Sequence, residues 1–422
     1  MLKLLRVIAL ATCSVTLAAQ IPFEQITKDL ASPNADVRLK AVRLIKSAAY
    51  PEAAVPLAAA VTDAEDSVQF EAIAAAMNIY LAEQVIPKKR VALVVEVRSK
   101  IGAEATFSEG PSALNARIVP DELMAGLLRA SRDENPRVAL DALYTFGALA
   151  DNQSPSARAP LRATAGPDLI ALLGVPQLEL RIAAARVIGR VYERRATEPP
   201  VDEVVGDSIV RAVNDSEHDV RFAALDALGA MRYERAVKSL TDMYMYYGRN
   251  EIGMGAVQTL ARIGHDSSVL VFDQMLTSKD TSERIVAIEG LARVGDPAST
   301  ARIQAAVARE KNESVLLASR FADVLLASGQ LDAIFEGLAK PKLHDQAMSY
   351  LREVVNGRTS AFAVAAKNPS PAIRGDISDL LGQSRDAAAT AVLGPLAQDA
   401  DPGVALAARR ATARLALTTA RQ

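Results

Sequence analysis

One pattern returns along most of this 422-residue chain. In "NDSEHDVRFAALDALGAM", residues 214–231, Val220 is followed by Ala224, Leu228 and Gly229. Counted from Val220, the apolar offsets +4 and +8 share one face of a helix with ~3.6 residues per turn. The polar start, Asp215 and Ser216, offers side-chain oxygens to the free N–H groups of a first turn. The same template fits Val37, Ala41 and Ile45; Val68, Ala72 and Ala76; Val138, Ala142 and Phe146; and Leu180, Ala184 and Ile188. It fits again at Ile252, Ala256 and Leu260; Glu283, Ala287 and Leu291; Leu343, Ala347 and Leu351; Ile373, Ile377 and Leu381; and Val404 and Ala408. A degenerate copy lies near Val315. The starting positions advance by about thirty residues, the period of a solenoid.

Second apolar stretches lie between these helices, among them "DELMAGLLRAS", "VGDSIVRAV" and "RAVKSLTDMYMYYG". Each unit therefore reads as helix, turn, helix and polar link. One pair cannot bury both of its apolar faces, so stacked pairs must share one core. Aromatics make up only 4% of the chain and Trp is absent. The frequent Ala at offset +4 lets helices approach closely.

"DSEHDVRFAALDALGAM", "SERIVAIEGLARVGDP" and "SPAIRGDISDLLG" resemble HEAT repeats, most of all the short, Ala-rich bacterial type also found in phycobilin lyases. The resemblance implies an all-α fold, a right-handed α-solenoid (superhelix) of about 10–12 stacked helical hairpins. It also implies that an Arg at offset +1 ties adjacent repeats together through nearby Asp side chains. Here those arginines are Arg38, Arg181, Arg221, Arg284 and Arg374, with Asp215, Asp219 and Asp296 as the acidic candidates.

The period breaks between Val68 and Val138, a step of roughly two periods with one recognisable unit at its start. "RVALVVEVR" there fits either a helix or a buried strand. "GAEATFSEGPSALN" reads as a loop, since Gly, Ser and Pro disfavour both. "ALADNQSPSARAP" and "YERRATEPPVDE" read as extended loops in two further long steps. The expected organisation is a signal peptide at 1–19, repeats at 20–81, an insertion or degenerate repeat at 82–120 and a repeat array at 121–422.

Two places stand out as partner-binding candidates. On the helix containing "MYMYYG", Val237, Leu240, Tyr244 and Tyr247 form one stripe, expected in the core, while Met245 and Tyr246 point elsewhere. Exposed Tyr and Met are enriched in recognition surfaces. "IPKKRVALVVEVRSK" holds the one notable basic cluster, with Lys88, Lys89 and Arg90.

The first twenty residues have Lys3 and Arg6, an apolar run from Val7 to Ala19, and small residues before a cut after Ala18 or Ala19. That is the layout of a secretory signal, too short for a comfortable membrane span. Cys13 is the sole cysteine. A mature chain without it has no disulfide and no thiolate chemistry. His218, His265 and His344 are too far apart for a helical metal pair, and each is expected in or beside a solvated link. "GMG" at 253–255 lacks the third glycine and the preceding strand of a dinucleotide fingerprint. The formal net charge of −2 gives no footing for nucleic-acid binding.

These features lead to an expected function. The chain reads as a non-catalytic scaffold, exported to the periplasm or outside the cell, with no stable membrane span and no cofactor. It would bind a protein or peptide partner on a surface lined mainly by the second helices. The alternative is an enzyme or chromophore-handling protein related to HEAT-type lyases, although shared fold is a weak warrant for shared activity.

Overall fold

The computed structural model describes residues 22–88, 93–98, 102–153, 155–194 and 199–419. The expected signal segment, Cys13, Lys89 and Arg90 lie outside the described residues. Over the described residues the chain is an α-solenoid that carries one two-stranded hairpin. The first helices of the pairs are Ala35–Ala48, Asp66–Tyr80, Pro136–Leu149, Leu178–Val191, His218–Met231 and Glu251–Ile263, then Thr281–Val294, Glu313–Leu326, His344–Val354, Pro371–Gln383 and Pro402–Thr419. Between them run the second helices, mostly shorter. None of the described helices is long and apolar enough to cross a membrane.

Polar link residues start several of these helices. Asn34 caps the Asp36 N–H, Asp280 caps those of Ser282 and Glu283, and Asn312 caps those of Ser314 and Val315. Each such cap satisfies donors that a helix leaves unpaired at its start. The apolar stripe goes inward as its spacing requires. Ala41, Ala72, Ala142, Ala184, Ala224, Ala256, Ala287, Ala347 and Ala408 are all essentially fully buried. Neighbouring first helices then approach almost to backbone contact. A Cβ on Gly382 would stand 2.7 Å from the Cα of Ala411 on the next first helix.

The long step from Val68 to Val138 falls within one repeat. The helices Asp66–Tyr80 and Pro136–Leu149 are neighbours, and the second helix Asp121–Ala130 packs beside Ala54–Ala60. A single repeat therefore carries an insertion in the turn between its two helices. Within it, Glu83–Lys88 pairs antiparallel with Leu93–Arg98, Ile86 opposite Val95. Of the two readings of "RVALVVEVR", the strand is the one its described residues, Leu93–Arg98, take, as β-branched residues favour. Part of the expected loop that follows is instead the helix Ala103–Glu109. Its Phe107 is buried against Gly147, where a Cβ would come within 2.9 Å of the ring. Tertiary contact here overrides the weak helix signal of Gly and Ser neighbours. The expected loop at "SPSARAP" likewise opens a helix, Pro155–Leu172, with Pro160 and Pro167 inside it.

The first helices pack against one another along the whole array, and contacts between distant repeats leave from them.

Candidate functional site

The arginines at offset +1 form one repeated construction. In Arg38, Nη1 donates to the carbonyls of Ser32 and Pro33 in its own link, while Nε and Nη2 each lie 2.7 Å from the carboxylate of Asp63 in the next link. Arg181 repeats this with Val175, Pro176 and Asp215, and Arg374 with Asn368, Pro369 and Asp399. Arg284 donates Nη1 to Ser278 and Lys279 and Nε to Glu310 at 2.9 Å. Each acid also accepts a backbone N–H within its own link, as Asp63 does from Glu65 and Asp215 from Glu217. Burial would raise the carboxyl pKa of Asp215, but the Glu217 N–H and Arg181 bring it below the ordinary value. That stability is present above the ordinary carboxylate range and is lost as pH falls through the depressed value.

Of the three expected acids, Asp215 stands in this construction. Asp219 and Asp296 do not. Asp219 is exposed on the first turn of its helix and meets only His218, while Asp296 caps the Ala298 N–H and lies 3.7 Å from Arg302. The reason is reach: an offset +1 Arg points back across its own link toward the next one, not along its own helix. Asp63, Glu310 and Asp399 were missed. The available signal was positional, since each stands five residues before the start of the following template, like Asp215. Asp133 shares that place and accepts from Gln69 at 2.9 Å, with Gln69 at offset +1 where others have Arg. His344 also stands at offset +1. Rather than being simply solvated, it is half-buried and lies 3.0 Å from Asp376, whose hydrogen bond raises its pKa.

A second set of charges could not be seen in the sequence at all. Arg414, buried on the last first helix, donates Nη2 to the carbonyls of Pro111 and Leu114 in the insertion. Arg190 bridges Asp151 at 3.0 Å and the Phe107 carbonyl, its guanidinium 4.5 Å from the Phe107 ring centroid. Asp379 is pushed up to about 6 by burial and by Asp376, against the pull of Arg410, Arg414 and Arg352. Further along, Glu353 accepts from both Arg232 and Arg293. Burial alone would lower the pKa of Arg293, but Glu353 and Glu289 hold it above the ordinary value. Arg232, Arg293 and Glu353, at the ends of three non-adjacent first helices, thus meet through paired charges.

The second helix Val237–Tyr247 carries the aromatic feature. Met245 and Tyr246 are 75% and 83% exposed. Tyr247, expected in the core, is 43% exposed, because its helix ends there and the chain turns away at Gly248 with φ +60°. The two rings meet edge to face, centroids 4.8 Å apart. Val237 and Leu240 of the same stripe are buried. Lys88 ends the first strand of the insertion hairpin.

Fold and links define the class of an α-solenoid built from helical hairpins. Residues 166–245 match the family model of HEAT repeats, and the same arginine links continue on both sides of that span. No curated protein matches the chain. Among solved structures, one engineered protein is 17% identical with a TM-score of 0.44, covering 93% of this chain and 98% of its own. A second engineered protein is 18% identical with a TM-score of 0.38, covering 64% and 95%. A chain of the Kap95p–RanGDP structure is 14% identical with a TM-score of 0.36, covering 93% and 50%. Likenesses this distant carry no weight for function.

Proposed function

We propose that this protein is a non-catalytic, extracytoplasmic scaffold that holds a protein or peptide partner on the surface of its solenoid. One observation carries the reading. Every Tyr and Phe among the described residues is buried or half-buried except Tyr246 and Tyr247, which stand together beside exposed Met245. Keeping such side chains in water forgoes hydrophobic stabilisation, and their type is that of interface centres. A repeat array also offers many shallow contacts rather than one deep pocket.

The test is affinity capture on the mature chain, with Tyr246→Ser as the comparison. A partner retained by the parent and lost by the variant is expected; identical captured sets would refute a role for this surface. Export is tested separately by N-terminal sequencing of protein recovered outside the cytoplasm. A start just after Ala18 or Ala19 is expected.

A further inference from the structure

Four of the five offset +1 arginines place their Nε edge on a carboxylate from the next link: Asp63, Asp215, Glu310 and Asp399. Arg221 is the fifth. Its Nη1 donates to the carbonyls of Asp215 and Ser216, like its sisters. Its Nε is buried and has no acceptor among the described residues.

The cause lies in the next link. In the four others the acid stands three residues past the end of the second helix, and the following first helix begins three residues later, as with Ala60, Asp63 and Asp66. After Val237–Tyr247 the next first helix begins at Glu251, so this link is two residues shorter (Ala60 to Asp66 is six steps, Tyr247 to Glu251 four). Asn250, three residues past the second helix, holds no carboxylate and caps the Gly253 N–H. The nearby cation Arg249 is taken by Glu283 at 2.8 Å. The two links lie side by side, since His218 Nε2 is 3.4 Å from Glu251. The last turn before the short link is the exposed Met245, Tyr246 and Tyr247.

We infer that Arg221 and the Tyr246–Tyr247 pair form a docking site for an acidic segment of a partner polypeptide, one carboxylate on the guanidinium and an adjacent apolar side chain on the tyrosines. This deepens the scaffold reading and rests on it. The ligand chemistry is written four times in the same chain, where the same arginine position takes a carboxylate. A shielded guanidinium N–H without an acceptor is unfavourable, and an incoming carboxylate supplies a charge-assisted pair. Because Nε is shielded, the side chains over it move aside as the carboxylate enters. Arg, Tyr and Met together are the residue types that concentrate binding energy at interface centres.

The experiment pans a displayed library of random dodecapeptides on the full chain and measures the enriched peptides by fluorescence anisotropy. Enriched peptides are expected to carry Asp or Glu beside an apolar residue. Replacing that acid by its amide should weaken binding roughly tenfold, and Arg221→Met should weaken the parent peptide by about the same factor. The two changes together should do little more than either alone. Tyr246→Ser, which alters only an exposed side chain, should weaken binding several-fold, and Arg374→Met should leave it unchanged. Enriched peptides without acids, or acidic peptides indifferent to Arg221→Met, overturn this site while leaving the scaffold reading standing. Absence of enrichment over a blank surface overturns both.

Discussion

The link around Asp215 and the link from Gly248 to Asn250 are neighbours in one array, yet they are built differently. In the first, one residue serves two repeats: its carbonyl accepts from Arg221 of its own repeat and its carboxylate from Arg181 of the preceding one. In the second, two residues are gone, the acid is gone with them, and the helix before it ends in exposed Met and Tyr. The comparison shows that the joint depends on link length as much as on residue type. A loop residue reaches the preceding arginine only when the chain has room to lay it there.

The strongest challenge to this view separates helix approach from ion pairing. Gly382→Val sits beside the Arg374–Asp399 joint but touches neither residue, and its Cβ would collide with Ala411. It should cost about 3 kcal/mol in chemical denaturation, since a close-packed core does not absorb added methyl groups. An unchanged midpoint would mean that the joints alone hold the stack. Next in size, Arg181→Met should cost about 2 kcal/mol, because it strands the Asp215 carboxylate and two carbonyls. Arg221→Met leaves no carboxylate behind and should cost less than about 1 kcal/mol. Equal losses would erase the distinction between closed and open links.

The buried charge of Asp379 gives an effect with a defined sign. Asp379 holds its proton up to about 6 in the folded chain but only to the ordinary carboxylate range when unfolded. The folded state therefore binds more protons between those values, and stability declines as pH rises from about 4 to about 6, then levels. Asp379→Asn should remove that slope and raise stability at neutral pH by about 1.5 kcal/mol after screening is allowed for. The smallest change expected is at His344, whose pKa is raised by Asp376. Its contribution is present below the ordinary histidine pKa and lost as pH rises through the raised one. Melting curves of His344→Gln should lack a slight fall in Tm expected in the parent between about pH 6 and 8.

Much of the architecture was legible because it is periodic. Val220, Ala224 and Leu228 announce a helical face, and about thirty residues of spacing announce a stack. The arginines were legible for the same reason. Their partners were half legible: Asp215 was found, while Asp63, Glu310 and Asp399 needed the rule that the acid stands ahead of the next template, which emerges only when the links are seen together. The stretch 82–120 stayed open between an insertion and a degenerate repeat because spacing cannot tell a lost repeat from a lengthened turn. Tyr247 was misread because a helical stripe says which side faces inward but not where the helix stops.

The sequence alone determined that this chain forms helical pairs and must stack them, since local periodicity fixes which face of each helix is oily and no pair can hide its own. Tertiary structure alone decided which polar groups meet: Arg414 with the insertion, Glu353 with Arg232 and Arg293, and an Arg221 Nε that has no acceptor among the described residues. Those pairings depend on small rotations between repeats that add up over the array, and no residue pattern within a single repeat encodes their sum.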